Sequence, residues 1–403
     1  MMRLLAALGC PILCAAPQAS ASEPNLDVRY RLEVVDQASK PRRAQAHTIR
    51  AKLGYEVGPR HGFSARLEGE AILAPGSERY DTAIKRRSDL PRINDAETHE
   101  VNQAWVAYTP RSETVIKVSR QTLFLGAETF VASARFRQNQ RTFDAVTLSD
   151  HALLPDTHLQ YGYMWLVDDT SGEDATHGDW NTNTHFVQID YGGFAPVKLG
   201  AYALLLDIDH LPAESSKTLG ALADSRWDMG GSTLLARGEF AWQDDWGDNP
   251  SNLSEHLLIT EAGVGHGGLW PLLGLRQQTG NGRVALQIPI GKKHGNRGWA
   301  DVFSITPAAG LLDVYGEAKF KLKQADWLGL DLAGTPLESL ELVAAHHRFF
   351  DDRGSINYGH ETDLRLRLKP LDGVTVTLDY ADYRASQFSV DTRKFWFSVT
   401  LTR

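Results

Sequence analysis

Cysteine is nearly absent. Of 403 residues only Cys10 and Cys14 carry a thiol, and both fall in the apolar start, so the rest of the chain is expected to hold no disulfide and no thiolate-bound metal. After that start there is no run of 18 or more apolar residues, which excludes a protein that crosses a membrane with helices. Membrane-spanning strands escape this test, because every second residue in them is polar. Positive charge is not in excess either: 42 Lys and Arg stand against 50 Asp and Glu, a net charge of −8, which argues against a nucleic-acid partner. The sequence also lacks G-x-S-x-G, H-E-x-x-H, Walker A and Rossmann glycine patterns, so neither an enzyme nor a bound cofactor is expected. No linker or shift of composition divides the chain into domains.

What is present begins with a secretory signal over 1–21. Arg3 supplies the basic start, Leu4 to Ala16 the apolar run and Ala19-Ser20-Ala21 the cleavage site. From residue 22 to 403 the dominant pattern is alternation of apolar and polar residues. In Ile356 to Lys369, Ile356, Tyr358, Leu364, Leu366 and Leu368 share one face, and Glu361, Asp363, Arg365, Arg367 and Lys369 the other. Near the start, Ile49, Ala51, Leu53, Tyr55 and Val57 alternate with Thr48, Arg50, Lys52 and Glu56. Period two means strand, and about 18 such segments can be marked. Strands of about a dozen residues suit a tilted membrane crossing better than a soluble sheet. Aromatics near strand ends (Tyr358, Tyr380, Tyr383, Phe395) suit an interfacial girdle.

The connections agree. Tight links such as Gly58 to His61, Thr109 to Arg111 and Lys369 to Gly373 interleave with long ones at Pro75 to Glu97, Leu123 to Gln140 and Gln277 to Leu311; Asp326 to Pro336 is long where a short turn is due. The predicted fold is all-β: one transmembrane antiparallel barrel of about 18 strands, inserted as a monomer in outer-membrane lipid of a Gram-negative-type cell. A secreted polysaccharide-binding β-protein and a barrel enzyme are the alternatives.

The predicted lumen carries charges of both signs, among them Arg29, Arg31, Arg50, Lys52, Lys319, Lys321 and Lys323 against Asp27, Glu33, Glu68 and Glu70. A mixed wet lumen stabilises any large barrel, whereas a local excess of cations at a constriction selects anions. Arg120 to Arg141 bears on this, with Arg120, Arg135, Arg137 and Arg141 interleaved with Phe124, Phe130 and Phe136. Folded inward it would present guanidinium forks to anions, with Arg365 and Arg367 on the wall as further path residues. The bland reading is that Arg137 and Arg141 brace acids such as Asp144 and Glu128. Both this segment and Gln277 to Leu311 hold aromatics that call for burial against the barrel wall. No metal site is expected. Asp168, Asp169, Glu173 and Asp174 lack calcium-loop spacing and suggest a solvated loop, and the adjacent His346 and His347 point to opposite faces.

Three motifs add a family resemblance. They are Glu100-Val101-Asn102-Gln103-Ala104-Trp105 with Ser119-Arg120-Gln121, then Phe136 to Ala145, and Gly298-Trp299-Ala300-Asp301-Val302-Phe303 with Thr306 to Leu311. With the ending Asp379 to Tyr383, they resemble the alginate export family of outer-membrane barrels. The resemblance implies a monomeric barrel of 18 strands whose best-known members export anionic polysaccharide through a basic pore, and it brings periplasmic export partners into view. The sequence departs from that pattern in its mixed lumen and in ending at Thr402-Arg403 without a terminal aromatic. Passage of anionic solutes, polysaccharide among them, is the expected function.

Overall fold

The computed structural model describes residues 24–76 and 79–403; the signal segment 1–21 and both cysteines lie outside the described residues. A strand forms in each segment where alternation was marked, with ends that differ by a few residues. The first six strands are β1 (Pro24–Gln37), β2 (Ala44–Arg60), β3 (Phe63–Leu73), β4 (Thr98–Arg111), β5 (Thr114–Gln121) and β6 (Thr142–Asp150). Then come β7 (Thr157–Asp168), β8 (Asp179–Phe194), β9 (Val197–Leu206), β10 (Ser216–Asp228), β11 (Ser232–Asp245) and β12 (Ser254–His266). The last six are β13 (Leu269–Gln278), β14 (Leu311–Lys321), β15 (Glu341–Phe350), β16 (Asn357–Leu371), β17 (Val374–Ala385) and β18 (Thr392–Thr402).

Each strand pairs antiparallel with its chain neighbours, and β1 pairs with β18 from Asp27↔Thr402 to Gln37↔Thr392, so the 18-stranded sheet closes without an edge. Closure satisfies the backbone hydrogen bonds that hydrocarbon cannot. The facing follows from the pleat. On β2, Leu53 and Tyr55 are exposed outside while Arg50 and Lys52 are buried inside, and Leu67, Leu273 and Leu364 continue the outer apolar belt.

Two features of the sequence reading are corrected. Tyr358 and Tyr383 are not girdle residues: both are buried inside, packed with Phe303 and Phe349. The cause for Tyr358 is a register shift against β15 at Gly359, whose φ of +135° breaks the alternation and carries Tyr358 inward while Leu364 stays outside. A Cβ at Gly359 would run into the Arg384 carbonyl oxygen. Lys323 is not on the lumen wall. It lies in the link between β14 and β15, built from three 3-10 turns (Leu322–Gln324, Asp326–Leu328, Pro336–Ser339), where it pairs with Glu338 at 2.5 Å.

The tight links gather at one rim, where Pro24 and Thr402 also lie. From the other rim three long loops turn into the barrel. Loop 74–97 packs Tyr80 and Ile93 on Val35, Ala44 and Ala46. Loop 122–141 and loop 279–310 pack Phe130, Val131, Leu286, Ile288 and Ile290 against wall residues such as Leu204 and Leu257. They are joined by backbone bonds from Ala132 to Ile290 at 2.9 Å and from Lys292 to Glu128 at 2.9 Å. Phe130, Trp299 and Phe303 are thus buried inside the barrel, as expected of them, whereas Ile305 is 68% exposed and Phe124 is exposed as well.

Candidate functional site

The lumen is narrowed by these loops, and its charges fall into two groups, braced and open. Arg141, 4% exposed, is a brace. Its Nε and Nη2 reach Asp169 Oδ1 at 3.0 and 2.7 Å, and its other N–H groups donate to the carbonyls of Ala132, Gly291 and Pro289 at 3.3, 3.4 and 3.5 Å. One guanidinium therefore ties loop 122–141, loop 279–310 and the start of the β7–β8 loop together. Arg120 spans the wall, reaching Asp144 on β6 and Asp168 on β7, each at 3.0 Å. Arg137 pairs with Asp301 at 2.8 Å. Asp301 also accepts from Lys394 at 3.3 Å and from His294 Nδ1 at 3.0 Å. Burial pushes the Asp301 carboxyl up, but Lys394, His294 and Arg137 outweigh it and hold it well below the ordinary carboxylate range. Burial pushes His294 down to about 4, so its imidazole is neutral at pH 7 and stacks on Phe136.

Arg135 differs: it is exposed, pairs with Glu128 and lies 4.7 Å over the Phe124 ring. Arg365 pairs with Asp379 at 2.5 Å and lies over Trp299 at 4.6 Å. Arg367 is exposed and forms no ion pair among the described residues. Of the six arginines singled out in the sequence, Arg120, Arg135, Arg137, Arg141 and Arg365 are paired with carboxylates and Arg367 is not. Arg137 and Arg141 do brace acids, though Asp301 and Asp169 rather than Asp144 and Glu128, which pair instead with Arg120 and Arg135.

Two further cations were not among those six. Arg29 of β1 is half-buried and binds only neutral acceptors: Gln138 Oε1 at 2.6 Å, the Arg135 carbonyl at 3.4 Å and the Arg137 carbonyl. Its neighbour Arg31 is in contrast neutralised by Glu33 and Asp95. Lys293 of loop 279–310 forms no ion pair among the described residues. Burial, then the charge of Arg141, pushes its ammonium down to about 8. The basic run Lys292-Lys293-His294 within the inserted loop was the sequence signal for it. Of the acidic stretch Asp168 to Asp174, Asp168 and Asp169 are spent on Arg120 and Arg141, while Glu173 and Asp174 are exposed as expected of a solvated loop. Among the described residues no group of three or more His, Asp or Glu is placed to hold a metal ion. His346 and His347 face opposite ways, with His347 bonded to Asp313 at 3.0 Å.

Solved structures share this architecture. The chain is similar to Pseudomonas aeruginosa OpdK, crystallised with vanillate, at 16% identity and a TM-score of 0.68, covering 94% of this chain and 98% of that one. Acinetobacter baumannii OccAB2 matches at 14% identity and a TM-score of 0.70, covering 94% and 98%. Pseudomonas aeruginosa OccK8 (OprE) matches at 13% and 0.71, covering 95% and 98%. The fold is that of outer-membrane porins. No family model matches the chain and no curated protein does, so the resemblance to the alginate export family finds no support there.

Proposed function

We propose that this protein is a monomeric outer-membrane channel that passes small anionic solutes, with the tight-turn rim and both strand termini toward the periplasm. The observation that carries the reading is the contrast between braced and open cations. Most lumen arginines are spent on carboxylates, whereas Arg29 and Lys293 form no direct ion pair among the described residues, and Arg29 donates to the carbonyl of the exposed Arg135. In a narrow, partly dehydrated passage such charges are screened far less than those on outer loops, so they set selectivity despite the net charge of −8. The apolar outer belt supports insertion in lipid. The fold shared with OpdK, a protein crystallised with vanillate, supports a small solute.

Export of an anionic polysaccharide would require the packed loops 122–141 and 279–310 to withdraw, breaking the Arg141 brace and the core around Phe130 and Ile288. Liposomes carrying the protein should admit benzoate faster than an uncharged sugar of similar size, and Arg29→Gln with Lys293→Gln should remove that preference. Equal rates for the two solutes in the parent protein would overturn the proposal.

A further inference from the structure

Where loops 122–141 and 279–310 meet the wall at β12 and β13, a small cavity is lined by Arg276 and Arg297 together with Thr129, Gln278, Ile288 and Asn296. Its volume of about 10 Å³ admits one guest the size of a water molecule. Both arginines are buried, 6% and 2% exposed, and neither forms an ion pair among the described residues. The Arg276 guanidinium makes no hydrogen bond there at all. Arg297 spends Nη1 on Gln278 Oε1 at 3.1 Å and Thr306 Oγ1 at 3.0 Å, and Nη2 on the Ser304 carbonyl at 3.5 Å, while its Nε has no partner.

The acids around this pair are committed elsewhere. Asp313 takes His347 with both oxygens at 3.0 Å. Asp301 takes Arg137 and Lys394. Glu239 takes the Thr129 hydroxyl at 3.1 Å, Tyr202 at 2.8 Å and Arg237 at 2.5 Å. Burial, then the charge of Arg276, pushes Arg297 down to about 9, which leaves it cationic at neutral pH. Two buried cations with no direct ion pair are costly, because the attraction of Asp301 and of Asp313, which faces Arg276 across β13 and β14, repays desolvation only in part. The unsatisfied groups are guanidinium N–H donors with no acceptor capacity of their own. A water oxygen would occupy them without neutralising them; an anion does both.

We propose that this cavity holds a dehydrated monatomic anion such as chloride, ligated by Arg276 and Arg297. The ion pins loops 122–141 and 279–310 to the wall at β12 and β13. Its size separates it from the transported solute, since a carboxylate-bearing molecule does not fit, and the inference stands whether or not the channel reading does.

Crystals of the unmodified, detergent-solubilised protein soaked in bromide should show an anomalous scattering peak between the two guanidinium groups. In solution at constant ionic strength, chloride or bromide should raise Tm saturably relative to gluconate, which is too large to enter, and Arg297→Gln should melt alike in all three. The diffraction experiment uses unmodified protein and so decides the matter even if Arg297→Gln does not fold. A cavity without bromide density, or parent melting temperatures equal in chloride and gluconate, overturns the proposal.

Discussion

Replacing Arg141 by Gln should loosen the inserted loops rather than simply alter selectivity. The side chain is 4% exposed and its partner Asp169 8%, so the change leaves a buried carboxylate without its cation and strips donors from three carbonyls on two loops. Breaking one partner of a buried ion pair costs about 3–5 kcal/mol, or about 10²- to 10⁴-fold in the ratio of docked to undocked loop. Arg135→Gln is the control. Its pair with Glu128 is solvent-exposed and contributes only about 0–1 kcal/mol, so melting should barely move. Planar-bilayer recording, a melting curve and limited proteolysis of both variants separate the cases. Arg141→Gln should show a larger, noisier conductance, cleavage within loop 122–141 and a lower Tm; Arg135→Gln should lower anion preference with intact loops. If Arg141→Gln kept the parent's melting and protease resistance yet shifted selectivity more than Arg135→Gln, the bracing assignment would be wrong.

Facing is tested by Leu364→Arg on the lipid side, which should cost about 2–4 kcal/mol in folding titrations into lipid, against Arg367→Leu, which breaks no ion pair and should stay within about 0.5 kcal/mol of the parent; equal losses contradict the facing. Gly359→Ala should cost about 1–3 kcal/mol at a φ that L residues rarely adopt, and should free Tyr358 from its packing on Phe303, read as a change in near-ultraviolet circular dichroism. Anion selectivity should fall as pH rises through about 8, because Lys293 is charged below that pH and neutral above it. For stability the sign is opposite: the depressed amine disfavours the folded state while charged, so Lys293 should let stability rise from about pH 8 toward its ordinary range, and Lys293→Gln should flatten both profiles.

Strand facing was legible because one buried or lipid-facing side fixes a period of two, and β2 and β16 keep it over most of their length. It failed at Tyr358, where a single irregular residue reverses the parity and nothing local marks the reversal except a glycine. That the loops enter the barrel was legible from Phe130, Phe136, Trp299 and Phe303, aromatics that an outer loop has no means to bury. Which arginine braces and which stays open was not. The pairs are set by tertiary placement, Arg137 with Asp301 lying 164 residues apart and Arg29 meeting Gln138 across 109, and a residue's type carries no record of such a partner. Arg276 and Arg297 are of the same kind, since their isolation is visible only once the neighbouring carboxylates are seen to be occupied.

The central claim is that open cations in a loop-narrowed lumen make the pore prefer anions although the chain is acidic. The reversal potential of the protein in a planar bilayer under a potassium chloride gradient tests it directly. The account predicts a sign corresponding to chloride carrying more current than potassium, with the preference reduced in Arg29→Gln and Lys293→Gln; a potassium-selective reversal potential in the parent protein would contradict it.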